Sequence, residues 1–595
     1  MDSVRTLPDA GRGLKALCLL AGLAGAMLGG GRAEAAQCGT DILLARLTHP
    51  SAGGKIGAAS IGAAADNRAR TLESEHFLIH YSLRGWYRVH TEPEDSALVR
   101  IADSLFATFG AMKDPQRDSA TYARMDSMHL PHPAYVRKTA QYFEAARNYY
   151  VDKLGMRAPV SGILSKQYKV SASLSRKFPV DIVDAGTADS EFQGETYGVT
   201  YPPQELSVTL ENDFICRTRL DTQGRISGDS IMSRLGDQVI HNYAADWELG
   251  VKVTVYHEFY HAEQFTYVPR ITKYNAWYEL SATGMEERNA GEVNDYIQYL
   301  PCVLNNHDRV ALNSIEYGPC THRPMYGQSI FHQYLSKALD SAFDVRVWDQ
   351  LGRNGESLQD GLESAFAKYG KTMSALYPDY AYQLFFSGKR FPAPPGGHFS
   401  PDRELWPDIA LDSIDLNESD SHKEITLPAL TFGILKVKWG SKAVTRVLQS
   451  KAVTGMMRIH AGASGYEVEQ MQGSQFPLGP PHTGDAYYLV LPNPSFTDQA
   501  TVEIKEADGS FYAFPNPARA EGPAPLYFSQ AKGMAFPSQV RIYSEDGRIV
   551  QSLDFQSASQ VLTWDFKNAD KRTVKTGLYY YRLNSEPLKT LVILR

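Results

Sequence analysis

The pattern of apolar residues changes near residue 391, and this change most constrains the fold. Between residues 250 and 300, and again between 326 and 386, apolar residues recur at helical spacing. The segment FPAPPGGHFSPDRELWP then marks a boundary, because prolines and glycines interrupt helices and strands. Short β-rich runs follow at sandwich-like spacing, among them ITLPALTFGILKVKWG, AYYLVLPNP and ATVEIKEA. We therefore predict a multidomain chain, with an α+β region followed by two all-β domains.

Length and charge narrow the classes of protein to consider. With 595 residues, the chain is far longer than one hydrophobic core requires. It carries 60 Lys and Arg residues against 67 Asp and Glu residues, a net charge of -7, with no long basic run. Because binding to a phosphate backbone needs a basic surface, we expect no nucleic-acid partner.

The first 35 residues have the features of an export signal. Basic residues precede the apolar run ALCLLAGLAGAMLGG, and the small-residue pattern Ala33-Glu34-Ala35 follows it, which predicts cleavage near Ala36. A membrane anchor is disfavoured because a span needs roughly 20 apolar residues. We expect a secreted or cell-surface protein with no membrane span after cleavage. Residues 36–70 are rich in Ala, Gly and Ser, which predicts a linker or pro-segment.

The mature chain keeps four cysteines, namely Cys38, Cys216, Cys302 and Cys320. An even number in an exported protein favours disulfides. Cys302 and Cys320 bracket a short segment, so we predict that they pair. Free buried thiols remain the alternative, since four cysteines are a sparse framework for this length.

The stretch TVYHEFYHAEQ contains the residues expected to form a metal site. On a helix, residues four apart lie one above the other, so His257 and His261 can direct their imidazoles at one metal ion. Glu258 is rotated by about 100° from His257, which places its carboxylate beside a metal-bound water. We expect His257 and His261 to be zinc ligands and Glu258 to be a general base.

A zinc site also needs a third protein ligand. Glu279 lies in NAWYELSATGMEERNAG, a helix-compatible stretch that Gly291 can end. If this stretch is helical, Thr283 and Glu286 share a face with Glu279, and either can bind the outer nitrogen of a ligand histidine. We therefore expect Glu279 to complete the zinc site.

Together, HEFYH and WYELSATGMEE resemble the active-site helices of the gluzincin metallopeptidases. The resemblance implies a zincin-like fold, with His257, His261 and Glu279 on Zn²⁺ and Glu258 as general base. Gluzincins often add a Tyr or His that donates to the oxyanion. Tyr326 and His322 are the candidates here.

The chain is also similar to a family of exported bacterial metalloproteases. The resemblance lies in the order of SEHFLIHYS, YVRKTAQYFEAARNYYVDKLGM, LENDF, the HEFYH helix, VNDYIQYL and YGQSIFHQYL. It covers roughly residues 70 to 390, and we place the zincin-like domain at 71–395. Within it, LSVTLEND is our candidate for the sheet edge to which an extended peptide substrate adds.

Two β domains are expected to follow, at 400–508 and 511–595. The last begins near Pro515-Asn516-Pro517 and contains Asp546-Gly547-Arg548 and Trp564-Asp565. It resembles the Ig-like sorting domain of type IX secretion cargo, with Phe566 and Lys571 at positions where glycines are common. The resemblance implies a partner in the secretion machinery, and a plain Ig-like accessory domain is the alternative.

The expected function is that of a secreted zinc metalloendopeptidase whose substrate is a peptide or protein. One alternative is a catalytically weak or inactive zinc-binding surface protein, with adhesive or glycan-binding β domains. Another is a zinc hydrolase that acts on a non-peptide bond, because the chemistry of a zinc-bound water is the same.

Overall fold

The computed structural model describes the following residues: 70–84, 88–109, 115–159, 177–183, 197–201, 206–214, 232–235, 238–241, 243, 246–268, 274–316, 318–320, 324–353, 357–416, 422–438, 446–451, 455–462, 465–471, 475–478, 486–506, 511, 513–514, 516–520, 525–528, 534–556 and 562–594. The signal segment 1–35, the stretch 36–69, Cys38, Cys216, His322 and Pro515 lie outside them.

The chain divides into two compact units. The first comprises Met1–Val303 and Asn313–Tyr369, and the second comprises Leu304–Leu312 and Gly370–Arg595. The first unit combines helices with β-sheet, whereas β-sheet dominates the second. A multidomain chain with α+β and all-β regions was expected, and the structure agrees at that level. The domain boundaries drawn from the sequence stay predictions.

The first unit contains a five-stranded mixed sheet. Its strands are β1 (Arg70–Glu73), β2 (Phe77–Tyr81), β3 (Phe178–Val183), β4 (Gly198–Thr200) and β5 (Val208–Glu211). Their order is β1-β2-β3-β5-β4, in which β2, β3 and β5 are parallel while β1 and β4 run antiparallel to their neighbours. Among the described strands, β4 is therefore an edge and β5 is not. The expectation that LSVTLEND forms the edge was wrong, because residue alternation does not encode the order of strands in a sheet.

Helices make up most of the remaining described part of the first unit. Three helices lie between β2 and β3 in the sequence, namely α1 (Ser96–Phe109), α2 (Pro115–Ser127) and α3 (Ala134–Arg147). A short hairpin, β6 (Met232–Leu235) and β7 (Gln238–His241), then precedes α4 (Trp247–Tyr267) and α5 (Asn275–Ala290). After a 3-10 helix at Asp295–Tyr299 come α6 (Leu300–Asn305), α7 (Ser329–Ala338), α8 (Phe343–Leu351) and α9 (Leu358–Ala367).

The stretch SEHFLIHYS contains strand β2, and YVRKTAQYFEAARNYYVDKLGM contains helix α3. All five residues of β2 are buried, and the ring of Phe77 packs against Phe143 of α3 and Phe259 of α4. Beyond α3 the helix continues as a π-helical turn, in which Tyr150 donates a hydrogen bond of 2.8 Å to the carbonyl oxygen of Tyr256. These contacts fix α4 against the sheet and α3.

A disulfide joins Cys302 and Cys320, as the sequence predicts. Their Cα atoms are 5.2 Å apart, within the range that disulfides require. The bridge closes the segment between α6 and the turn that precedes α7. Tyr326 lies in that turn.

In the second unit, α10 (Met373–Phe385) precedes a β-sandwich. The sandwich strands are β8 (Asp412–Asp415), β9 (Lys423–Leu427), β10 (Thr431–Lys438), β11 (Arg446–Lys451), β12 (Met457–Gly462), β13 (Gly465–Gln470), β14 (Gln475–Leu478), β15 (Ala486–Asn493) and β16 (Ala500–Glu506). They form the sheets β13-β12-β15-β10-β8 and β14-β11-β16-β9. Apolar side chains from both sheets share one core, including Leu435, Leu489 and Val502.

Two more sheets end the chain. Their strands are β17 (Ala513–Phe514), β18 (Ala518–Arg519), β19 (Leu526–Phe528), β20 (Ser538–Ser544), β21 (Ile549–Phe555), β22 (Leu562–Trp564), β23 (Gly577–Leu583) and β24 (Lys589–Leu594). They enclose a core around Trp564, which is 1 % exposed. The Asp546-Gly547 turn joins β20 to β21, with Gly547 in the left-handed region. Phe566 and Lys571 also have positive φ, at 59° and 62°.

No helix among the described residues is long and apolar enough to cross a membrane.

Candidate metal centre

Helix α4 brings the two histidines together. His257 and His261 are one turn apart, both are buried, and their Nε2 atoms lie 3.0 Å from each other. The helix is also covered on its other side, where Val251, Val255 and Phe259 are at most 1 % exposed. Burial around most of its circumference holds the helix firmly, so the imidazoles keep their positions.

Helix α5 adds the carboxylate of Glu279. Its Oε2 atom lies 3.4 Å from Nε2 of His257 and 3.5 Å from Nε2 of His261. The ligand atoms of His257, His261 and Glu279 all lie within 4.8 Å of one another, as the sequence interpretation required. Burial raises the pKa of Glu279, but the interactions with His261 and His257 that apply when these imidazoles are protonated, through charge and hydrogen bonds, outweigh burial and lower it to about 2. The carboxylate is therefore ionised.

The Nδ1 atom of each histidine lies beside a hydrogen-bond acceptor. Nδ1 of His257 lies 2.5 Å from Oε1 of Glu286, and Nδ1 of His261 lies 2.7 Å from Oε1 of Gln264. These partners assign the proton of each imidazole to Nδ1. Of the two residues considered from the sequence, Glu286 holds His257. Thr283 does not, and its hydroxyl has no hydrogen-bond partner among the described residues.

This assignment leaves a lone pair on each Nε2, facing the anionic Glu279. Neither carboxylate oxygen of Glu279 accepts a hydrogen bond from the described residues. Two unprotonated imidazole nitrogens and a carboxylate facing one another repel unless a proton or a metal ion lies between them, since a buried charge needs a partner. Two imidazoles and one carboxylate fit a divalent metal, and this donor set does not by itself specify which one.

Gln264 is a part of the site that the sequence analysis missed. Its amide nitrogen donates to the carbonyl oxygen of Tyr278 at 3.1 Å and to Oγ of Ser281 at 3.0 Å. It therefore joins His261 on α4 to the helix that carries Glu279. The spacing could have revealed it, because residues three apart on a helix share a face.

The side chain of Glu258 pairs with Thr200, whereas that of its neighbour His257 pairs with Glu286. Oγ1 of Thr200 donates to Oε2 of Glu258 at 2.6 Å and lies 2.7 Å from the carbonyl oxygen of Glu258. Thr200 is the last residue of β4, so the edge strand holds the carboxylate. No sequence signal connects Thr200 to Glu258, because they are 58 residues apart.

A cleft of about 340 Å³, part of it open to solvent, adjoins these residues. His257, Glu258 and Tyr326 line it. The ring centroids of Tyr326 and His257 are 6.5 Å apart, so the structure brings this candidate to the site. The other candidate, His322, lies outside the described residues.

Two buried histidines outside the metal cluster have structural contacts. Nε2 of His332 lies 2.6 Å from Oδ2 of Asp344, and its ring occupies the space left by the missing side chain of Gly284. In the second unit, His307 faces the carbonyl oxygens of Phe432 at 2.7 Å and Ala410 at 3.0 Å.

Comparisons with known proteins do not identify a family for this chain. No family model matches the chain, and no curated protein matches it. One solved structure with similarity is PorZ, described as an essential bacterial surface component of the type-IX secretion system of Porphyromonas gingivalis. Its match has 21% identity over 18% of this chain and 15% of PorZ, with a TM-score of 0.13. A Faecalibacterium prausnitzii beta-glucuronidase matches at 11% identity over 29% of this chain and 36% of that enzyme, with a TM-score of 0.11. The chain thus spans only a small part of either protein, and TM-scores this low support no functional argument.

Proposed function

We propose that the protein is an exported zinc metalloendopeptidase. The observation that carries the proposal is the buried cluster of His257, His261 and Glu279, together with Glu258, which lines the same cleft as His257. A purely structural metal site has no need of a carboxylate that lies beside the ligands without being one. A hydrolase needs that carboxylate as a base.

Zn²⁺ bound by His257, His261 and Glu279 would lower the pKa of a water molecule and polarise the carbonyl of the substrate. Glu258 accepts the proton of the attacking water and later gives it to the leaving amine. Because Thr200 donates to Oε2 of Glu258, the carboxylate keeps one orientation through both transfers. Glu286 and Gln264 hold the Nδ1 protons of the histidines, which keeps the lone pairs directed at the metal position.

The edge strand β4 suits an extended peptide. It is the last strand of its sheet among the described strands, and its residue Thr200 contacts Glu258 directly. A peptide that adds to β4 by β-pairing therefore runs beside the proposed base. This geometry favours peptide bonds over other hydrolysable bonds.

Tyr326 is proposed to donate a hydrogen bond to the developing oxyanion. It lines the same cleft as Glu258 and lies on the side of His257. A donor in this position stabilises charge that exists only in the transition state.

Export and sorting are further parts of the proposal. The N-terminal segment supports export, and the segments from Asp546-Gly547 to Trp564-Asp565 support a sorting role for the C-terminal domain. The proposed partner is the machinery of a type IX secretion system.

Glu258→Gln tests the function. The substitution should leave zinc bound, because Glu258 is not a ligand, and should slow casein or peptide hydrolysis at least about a hundredfold. Glu75→Gln is a matched control, since the Glu75 side chain is 83% exposed. Zinc content is measured by elemental analysis alongside the rate. Unchanged hydrolysis in Glu258→Gln would refute the peptidase. A protein that binds zinc and hydrolyses neither peptides nor other bonds would favour the adhesive surface protein.

A further inference from the structure

The carboxylate of Glu279 has two oxygens and only one of them faces the histidines. Oε2 lies 3.4 Å from Nε2 of His257 and 3.5 Å from Nε2 of His261, so it is the oxygen that meets a metal ion. Oε1 is buried as well and accepts no hydrogen bond from the described residues. Because carboxylates that bind a metal are themselves hydrogen-bonded in protein sites, Oε1 needs a donor.

Thr283 stands one turn after Glu279 on α5. Residues four apart on a helix share a face, and helical side chains lean towards the N-terminal end of their helix. The side chain of Thr283 therefore leans towards the turn that carries Glu279. Both residues are 0 % exposed, and Thr283 also lines the cleft beside His257.

The hydroxyl of Thr283 is not used by its own helix. Inside helices, a buried hydroxyl commonly donates to the carbonyl oxygen four residues earlier. Oγ1 of Thr254 does so with Gly250 at 2.8 Å. Oγ of Ser281 does so with Trp277 at 2.6 Å. Oγ1 of Thr283 makes no such bond and has no partner among the described residues, so it can donate to another acceptor.

Few other donors are available. On the described helices α4 and α5, the buried donor atoms that lack a partner are Oγ1 of Thr283 and Nε1 of Trp277. Trp277 stands two residues before Glu279, and residues two apart on a helix do not face each other. Glu286 is a competing acceptor, because its Oε2 atom is unpaired and it follows Thr283 by three residues. Its Oε1 atom is already held against His257, whereas neither oxygen of Glu279 has a donor.

We propose that Thr283 is a positioning residue for the metal ligand Glu279, whose Oε1 atom accepts a hydrogen bond from the hydroxyl while Oε2 binds the metal ion. The inference rests on the metal site of the proposed function and adds a residue to it. Rotation about χ1 directs the hydroxyl, since threonine in a helix populates two rotamers. Because the hydroxyl has no partner within the described fold, it contributes to metal affinity and not to the stability of the metal-free protein.

Thr283→Val tests the inference, because it removes the hydroxyl and keeps the shape of the side chain. The dissociation constant for Zn²⁺, measured by competition with a chelator, should rise about tenfold to a hundredfold. Thr283→Ser keeps the hydroxyl and should bind Zn²⁺ like the wild type. In denaturant unfolding without metal, Thr283→Val should be at least as stable as the wild type, since it loses no hydrogen bond.

Thr139→Val is the matched control. Thr139 is also 0 % exposed, but its Oγ1 atom donates to the carbonyl oxygen of Tyr135 at 2.9 Å. Thr139→Val should therefore lower the free energy of unfolding and leave the affinity for Zn²⁺ unchanged. An equal loss of stability in Thr283→Val would show that its hydroxyl is bonded within the fold, which would overturn the inference.

The Glu286→Ala background separates the two acceptors. Thr283→Val should weaken Zn²⁺ binding by a similar factor with and without the side chain of Glu286. If the effect vanishes in Glu286→Ala, Thr283 acts on Glu286 and the inference is overturned. Equal Zn²⁺ affinities in the wild type and Thr283→Val overturn it as well and leave the peptidase intact. A wild type that binds Zn²⁺ and cleaves no peptide refutes the peptidase alone, because the affinity measurements need no substrate.

Discussion

Gly198 of β4 and Glu258 of α4 lie so close that a β-carbon on Gly198 would be 2.6 Å from Cγ of Glu258. It would also be 2.8 Å from Cγ2 of Thr254. Contacts this short force atoms to move, so the strand can approach the helix only because residue 198 has no side chain. The same approach lets Thr200 reach the proposed base.

Gly198→Ala should therefore disturb Glu258 while sparing the metal ligands. We expect a loss of about 1–3 kcal/mol in the free energy of unfolding, as for other overpacked sites. Peptide hydrolysis should fall, and zinc content should stay the same. Denaturant unfolding, hydrolysis rates and elemental analysis measure the three effects.

A second strand glycine serves as the control. At Gly433 of β10, an added β-carbon would meet, among the described residues, only Cδ2 of Leu427, at 3.3 Å. Gly433→Ala should change stability less and leave hydrolysis unchanged. If Gly198→Ala changed stability and hydrolysis no more than Gly433→Ala does, the proposed close contact between β4 and Glu258 would be refuted.

The metal cluster could be predicted because its signals are local or lie on consecutive helices. His257 and His261 follow from helical spacing, and Glu279 stands at the start of the next helix, among buried aromatic residues. Burial of Glu286 beside His257 follows from the same periodicity.

Other parts of the site depend on contacts that the sequence does not encode locally. Thr200 reaches Glu258 only because β4 pairs at the far side of β5, and apolar alternation cannot order strands. Asp295 joins the cleft through a turn in which Asn294 has a φ of 56°, which a helical pattern does not reveal.

Removing the acceptor of His257 should weaken metal binding. Glu286→Ala takes away the partner that lies 2.5 Å from Nδ1, and the loss of such contacts typically costs about 10–100-fold in affinity. Competition with a chelator measures this. Glu286→Gln keeps an acceptor oxygen and should restore much of the affinity. Equal affinities in the wild type and Glu286→Ala would contradict the assigned role.

Acid should destabilise the second unit through His398. Burial is the main cause that lowers the pKa of His398 to about 4, and the backbone N–H of Ser400 donates to its Nδ1 at 3.1 Å. The fold therefore favours the neutral ring. Below about pH 6.5 the unfolded chain takes up a proton that the folded chain does not, so stability falls as the pH drops from 6.5 to about 4. Below pH 4 both states are protonated, and His398 contributes no further change.

Denaturant unfolding between pH 7 and pH 4 measures this effect. The part due to His398 cannot exceed about 1.4 kcal/mol per pH unit, the value for one proton. His398→Gln should flatten the profile, whereas His422→Gln should not, since the side chain of His422 is 54% exposed. The same slope in wild type and His398→Gln would assign the acid sensitivity to other groups.

Lys571 occupies a backbone conformation that glycine adopts more easily. It is exposed, and its φ of 62° is in the left-handed region, which costs a non-glycine residue about 1–2 kcal/mol. Glycine removes that cost but loses about 0.5–1 kcal/mol more conformational entropy on folding. Lys571→Gly should therefore raise the free energy of unfolding of the C-terminal β region by up to about 1.5 kcal/mol. Lys575→Gly is the control, because Lys575 is exposed nearby without a positive φ. Lys575→Gly should lower the free energy of unfolding. A loss of the same size in Lys571→Gly would show that the left-handed conformation of Lys571 does not cost stability.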